Sequence, residues 1–114
     1  MADGERVICA SAELAERGVG VRFEVPGPHG PEPAFAIRFE GEVRAFYNRC
    51  AHVPVELDWN DGRFFDAEQL FLICSIHGAI YDPRTGRCKG GPGRGGLTPL
   101  DVEERNGTIY LRKL

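Results

Sequence analysis

No run of apolar residues approaches the ~20 that span a bilayer, so no membrane-crossing helix is expected. The start, Met1 to Arg6, lacks a basic stretch followed by an apolar one, and no signal peptide is expected. Neither sign of charge dominates. Lys and Arg number 14 and Asp and Glu 17, a net charge of −3. That balance argues against a nucleic-acid binder and against a polybasic membrane-surface protein. Cysteine is too sparse, at 4 residues, to read as a disulfide framework. Without an export signal the expected compartment is the reducing cytoplasm, where cysteine points to metal or catalysis. Histidine is scarcer still, at 3 residues, His29, His52 and His77. With 114 residues, the chain is expected to be one domain, 1–114, and is too short for two sizeable cores. An apolar fraction of 42% and a charged fraction of 27% exclude whole-chain disorder. Glycine is the excess, 15 residues or about twice the usual ~7%, and it implies tight turns and close backbone approaches.

The pattern is that of strands. Val19, Val21, Phe23 and Val25 alternate with polar or small residues, a period of two. The proline-rich stretch from Pro26 to Pro33 is expected to be an unpaired loop, because proline offers no N–H to a ladder. Phe35, Ile37 and Phe39 alternate again, Gly41-Glu42 reads as a turn, and Val43 to Tyr47 as the returning strand. Leu70 to Cys74 reads as a strand covered on both faces, and Ala79 to Asp82 as another, closed by a turn at Pro83 to Gly86. Asn106-Gly107 between Leu100–Glu104 and Thr108–Leu111 predicts a type I′ hairpin. Helix signals are limited to a short turn capped by Ser11 and one at Asp66 to Gln69. The fold class is therefore all-β, an antiparallel β-sandwich or small barrel.

Chemistry concentrates in two short segments. Cys50-Ala-His52 and Cys74-Ser-Ile-His77 each place a thiolate and an imidazole one loop turn apart, separated by residues 53–73. Each half can give one sulfur and one nitrogen to a shared metal site. Two other readings stand beside this one. The residues could be unligated buried cysteines and surface histidines. They could instead hold a structural zinc, although zinc fingers usually keep the two cysteines in one half and the two histidines in the other.

The pair C-x-H and C-x-x-H, with His77-Gly-Ala-Ile-Tyr-Asp82, Thr85-Gly86 and Gly91-Pro92, resembles the Rieske iron–sulfur proteins, over about residues 43–111. Its small members resemble Rieske ferredoxins, which carry single electrons. The resemblance implies one 2Fe–2S cluster per chain. Cys50 and Cys74 would bind one iron, and His52 and His77 the other. Tyr81 would lie near a ligand sulfur, and the Gly/Pro loop around Pro92 would cover the third side. It also implies a cluster-binding subdomain of about 47–93 inserted in the β base, no catalytic residues, and a monomer. The partners would be a flavin-dependent reductase and an acceptor oxygenase or other oxidoreductase. A small Rieske-like subunit of a larger enzyme, such as assimilatory nitrite reductase, is the alternative. The segment Trp59 to Ala67 makes the spacer longer than in many ferredoxin-like members. It is expected to be a solvated insertion, or else a docking edge exposing Trp59, Phe64 or Phe65.

The remaining signals are bland. Cys9 and Cys88 read as buried or partly buried thiols, and His29 as exposed. Gly91 to Gly96 matches G-x-G-x-x-G, but the strand pattern that follows excludes a dinucleotide site.

The same resemblance fixes an expectation for the potential. With two thiolates and two neutral imidazoles the oxidised cluster is formally uncharged, so adding an electron costs less than at an all-cysteine cluster. High-potential members carry an extra cysteine pair and a serine where Val55, Ile76 and Ala79 stand here. Fewer hydrogen bonds to sulfur leave the reduced state less stabilised. The reduction potential should lie at about −150 to 0 mV. Protein-film voltammetry would read it, and a value above about +150 mV would contradict the assignment.

Overall fold

The computed structural model describes residues 6–49, 57, 62–74, 78–90 and 96–112. Among the described residues, ten strands run in the order β1 Arg6–Ala10, β2 Val21–Gly27, β3 Gly30–Phe39, β4 Glu42–Tyr47, β5 Leu72–Ile73, β6 Ile80–Tyr81, β7 Cys88–Gly90, β8 Pro99–Leu100, β9 Val102–Arg105 and β10 Thr108–Leu111. They form three sheets, of order β1-β10-β9, β2-β3-β4-β8 and β5-β6-β7, and every strand pair is antiparallel. No α-helix occurs among the described residues, only a 3-10 turn at Ser11–Glu13.

The layering follows from the side chains of β3. Ala34 and Ala36 point to one face and Phe35, Ile37 and Phe39 to the other, and all five are buried. On the alanine side, Ala36 and Ala45 pack with Cys9, Leu14 and Ile109, and Ala34 with Val25 and Leu111. Small residues there let the sheet holding both chain ends approach closely. On the large side, Phe35, Ile37, Phe39 and Phe46 meet Leu57, Phe64, Leu72, Cys74, Ala79, Tyr81 and Leu97 in one cluster. The β2-β3-β4-β8 sheet is thus the middle layer, with a core on each face.

Several local expectations change. Pairing does not stop at Pro26. The ladder continues through Pro26↔Pro31 to Gly27↔Gly30, around a two-residue turn. A ladder closed this way alternates between bonded and non-bonded pairs. Pro26↔Pro31 and Glu24↔Pro33 fall on the non-bonded ones, so these three prolines remove no bond between β2 and β3. Val19 precedes β2 and is exposed. Of Leu70–Cys74 only Leu72–Ile73 forms a strand, and Leu70 is exposed on the turn before it. That turn was expected, and Asp66 Oδ1 accepts from the amides of Leu70 and Phe71 at 3.0 and 3.3 Å. Leu100 to Glu104 is not one strand. β8 pairs with β4, whereas β9 pairs with β10, and Asp101 is the crossing point. Ser11 is not the cap of its turn; Glu13 Oε2 accepts from the Ala10 amide at 2.9 Å.

Both hairpin turns at the far ends of β3 and β9 are left-handed. Asn106 and Gly107 have φ of 52° and 78°, as the sequence predicted. The other turn is Glu40-Gly41 rather than Gly41-Glu42, with φ of 55° and 80°. A glutamate there is strained by roughly 1 kcal/mol. The Glu16 carboxylate offsets this by accepting from the amides of Glu40 and Gly41 at 2.6 and 2.8 Å.

Arg38 ties the layers together at this end. Its Nε donates to the Leu14 carbonyl at 2.8 Å, and its two terminal nitrogens donate to Glu104 at 3.0 and 2.7 Å. The Arg38 guanidinium lowers the Glu104 carboxyl to about 2 from an ordinary 4.5. A carboxyl depressed on folding contributes stability above its unfolded value and loses it as pH falls through the folded one. Glu104 is partly solvated, so its contribution at neutral pH is about 1 kcal/mol. Thermal unfolding should show Glu104→Gln less stable than wild type at pH ~7, with the difference vanishing near pH ~2. A difference independent of pH would show that the pair's charge is irrelevant.

Candidate metal centre

Of the four candidate ligands Cys50, His52, Cys74 and His77, the described residues include Cys74. Cys50, His52 and His77 lie outside them, as do Trp59 and Pro92. The structure describes the frame on which their loops are mounted.

Cys74 directly follows β5 and is wholly buried. Its loop is closed by backbone alone. The Cys74 amide donates to the Ala79 carbonyl at 2.9 Å, and the Gly78 amide donates to the Cys74 carbonyl at 2.8 Å. Gly78 has φ of 75°, which lets the chain reverse there without a side-chain clash. The described residues on either side of His77 are therefore bonded to each other. Tyr81, two residues further along β6 from Ala79, is also wholly buried and pairs with Leu72 on one side and Cys88 on the other.

The first loop is closed differently. Asn48 follows β4, and its amide donates to the Pro33 carbonyl at 2.9 Å. Its side-chain Oδ1 accepts from the Leu57 amide at 2.8 Å, so one side chain bridges the nine-residue step that contains Cys50 and His52. Both Asn48 and Leu57 are buried. The third loop starts after Gly90 and ends at Gly96, which pairs with Arg87. The turn before β7 is set by Asp82. Its carbonyl accepts from the Gly86 amide at 2.7 Å and its Oδ1 from the Arg84 amide at 2.8 Å. Gly86 has φ of 82°, and a Cβ there would lie 2.8 Å from both Phe46 and the Leu97 carbonyl.

These three loops converge. Leu57, Cys74, Ala79 and Leu97, which bound them, belong to the same apolar cluster as Tyr81 and Phe64. That convergence is the test of fit for a metal group. A soft thiol sits in a dry core, in one cluster with described residues at the ends of the loops that carry the other thiol and the two imidazoles. Two sulfurs and two imidazole nitrogens are the donor set of a Rieske 2Fe–2S centre, and the frame fits it.

The segment ahead of β5 is not a surface insertion where it is described. Phe64 is wholly buried and stacks on Phe35 with centroids 3.9 Å apart, and Phe65 packs near Phe39 at 6.0 Å. Neither phenylalanine is an exposed docking residue. The sequence signal that could have shown this is the pairing of two aromatics with the aromatic face of β3. Cys9 is buried in the other core, where burial raises its thiol above the ordinary 9.0 and keeps it protonated and inert. Cys88 is half-buried and its Sγ lies 3.5 Å from the Gly90 carbonyl. His29 is exposed at a hairpin turn. After the glycine-rich segment the next element is β8, and no helix follows among the described residues.

Comparison with known proteins agrees with this reading. The family model of the Rieske [2Fe-2S] domain matches residues 5–101. The ferredoxin of carbazole 1,9a-dioxygenase from Nocardioides aromaticivorans IC177 is 25% identical, with a TM-score of 0.78 over 98% of this chain and 100% of that one. A chain in a complex of reduced oxygenase and oxidised ferredoxin of carbazole 1,9a-dioxygenase shares the fold at 21% identity, with a TM-score of 0.77 and 99% coverage of both chains. The terminal oxygenase of the Nocardioides enzyme shares it at 22% identity and a TM-score of 0.77, over 98% of this chain and 30% of that one. No curated protein matches the sequence at a significant level. No helix among the described residues is long and apolar enough to cross a membrane. The chain belongs to the Rieske 2Fe–2S domain family, and its cofactor is a Rieske-type two-iron, two-sulfur cluster.

Proposed function

We propose that this protein is a monomeric one-electron carrier, taking electrons from a flavin-dependent reductase and passing them to an oxygenase or a similar oxidoreductase. The observation that carries the reading is the gathering of Leu57, Cys74, Ala79 and Leu97 into one core, which brings the three loops to one end. End-to-end likeness to a separate ferredoxin chain supports a carrier over a fixed enzyme subunit. The cluster-binding part is about residues 47–93. Cys50 and Cys74 hold one iron and His52 and His77 the other, with Tyr81 and Pro92 beside them. The bound cluster supplies a single reversible electron at modest reorganisation.

The chain's own residues set the conditions for that exchange. Burial of Cys74 keeps water from its sulfur. Two backbone bonds, from Cys74 to Ala79 and from Gly78 to Cys74, tie together the described ends of the second loop. Ala79 is wholly buried and has no hydroxyl to offer a sulfur. Fewer donors favour the oxidised state and a low potential.

Two experiments test this. Anaerobically purified protein should contain about two irons and two labile sulfides per chain and give a rhombic EPR signal after dithionite. His52→Cys should lose or strongly alter that signal, and Cys9→Ser, in the distant core, should leave it unchanged. Absence of sulfide would remove the reading, and a wild-type signal in His52→Cys would remove His52 from the ligand set. Separately, Ala79→Ser should raise the potential. One added hydrogen bond of about 0.5–1.5 kcal/mol corresponds to about 20–65 mV for one electron. No change would mean that this position does not face a sulfur.

A further inference from the structure

The two ligand loops are held by unlike devices. The second is closed by its own backbone, Cys74 to Ala79 and Gly78 to Cys74. Across the first, the described bond is one made by a side chain, from the Leu57 amide to Asn48 Oδ1 at 2.8 Å. Asn48 has 1% of its surface exposed and Leu57 none. A buried amide that loses its acceptor is costly, so this bond is demanded by the fold. Asn48 is itself anchored, because its backbone amide donates to Pro33 on β3, the strand buried on both faces. Among the described residues, this amide side chain links the middle sheet to the far end of the first loop.

We propose that Asn48 is the positioning residue of the first ligand loop. Its carboxamide oxygen fixes the span from Asn48 to Leu57, and so sets where Cys50 and His52 are presented. The inference rests on the reading that Cys50 and His52 are ligands. Leucine keeps the branched shape of asparagine, though it is larger, and has no acceptor, whereas aspartate keeps both the size and an oxygen in the same place. Comparison of the two separates the hydrogen bond from the packing.

The test uses the holoprotein of wild type, Asn48→Leu, Asn48→Asp and Cys50→Ser. The readouts are iron and sulfide content, EPR line shape, and the rate of iron loss to a ferrous chelator after reduction. Asn48→Leu should release iron about tenfold faster than wild type, with a shifted EPR spectrum. Asn48→Asp should restore the rate to within about twofold. Circular dichroism should give Asn48→Leu the same strand signature as wild type. Wild-type release and spectrum in Asn48→Leu would overturn the proposal. Equal loss in the leucine and aspartate variants would do the same, because packing rather than the acceptor would then be at work. Should Asn48→Leu fail to fold, hydrogen exchange of the wild-type protein decides. The Leu57 amide must be protected, and exchange at the rate of an open loop overturns the proposal. Cys50→Ser is the separate control. A full wild-type cluster in that variant would refute the ligand assignment itself, whatever the Asn48 variants do.

Discussion

The constraint on which the structure depends is that β3 is buried on both sides from Ala34 to Ile37. A strand buried on both sides must carry two different surfaces within one period of two. Here Ala34 and Ala36 form one, and Phe35, Ile37 and Phe39 the other. The small side accepts the sheet that joins the chain ends, and the large side accepts the sheet that leads to the ligand loops. Polar groups appear on β3 only where it leaves this sandwich. At one end Arg38 gathers Leu14 and Glu104, and at the other the Pro33 carbonyl receives the Asn48 amide. The described start of the first candidate loop, at Asn48, is thus tied to this doubly covered strand.

A second tie binds the cluster-bearing sheet to this frame from outside. Arg84, in the turn before β7, donates from Nε and Nη2 to Glu40 at 2.7 and 2.6 Å, and lies 5.0 Å from the Phe39 ring. Arg17 stands over Phe39 too, at 4.8 Å. The Arg84 guanidinium draws the Glu40 carboxyl below its ordinary value, but both side chains are about half exposed. Such a pair sets geometry more than it adds stability. Its use is to stop the Asp82–Gly86 turn from swinging, while the energy comes from Phe64, Tyr81 and their neighbours beneath it.

What the sequence could reveal was governed by how local each cause is. The family resemblance, the Asn106-Gly107 hairpin and the alternation of β3 are written in neighbouring residues, and they read correctly. The errors arose where a distant partner decides. Proline normally ends pairing, yet Pro26, Pro31 and Pro33 fall in register on pairs that need no N–H. That register is a property of two strands together. Phe64 belongs to a polar-looking stretch, and only the aromatic face of β3 makes it core. Leu100 and Val102 are adjacent in pattern, but they serve different sheets because Asp101 turns between them. The role of Asn48 was equally hidden. An asparagine after a strand reads as a turn residue, and its partner is nine residues away.

The fold and the redox behaviour are set at different scales. At 25% identity the whole chain still superposes on a ferredoxin with a TM-score of 0.78. Such a frame needs only residues of suitable size at buried positions, and these can be exchanged widely without altering the layers. A potential answers to single hydrogen bonds and to burial within a few ångströms of the sulfurs. Replacing Ala79 or Asn48 could leave every sheet intact while changing how tightly the electron is held. Tyr81 belongs to both scales. Its ring fills the core beside Cys74, so it supports the frame. As a wholly buried tyrosine it must also place its hydroxyl against a polar partner. Residues that serve both scales are the ones where a substitution tuned for potential also costs stability.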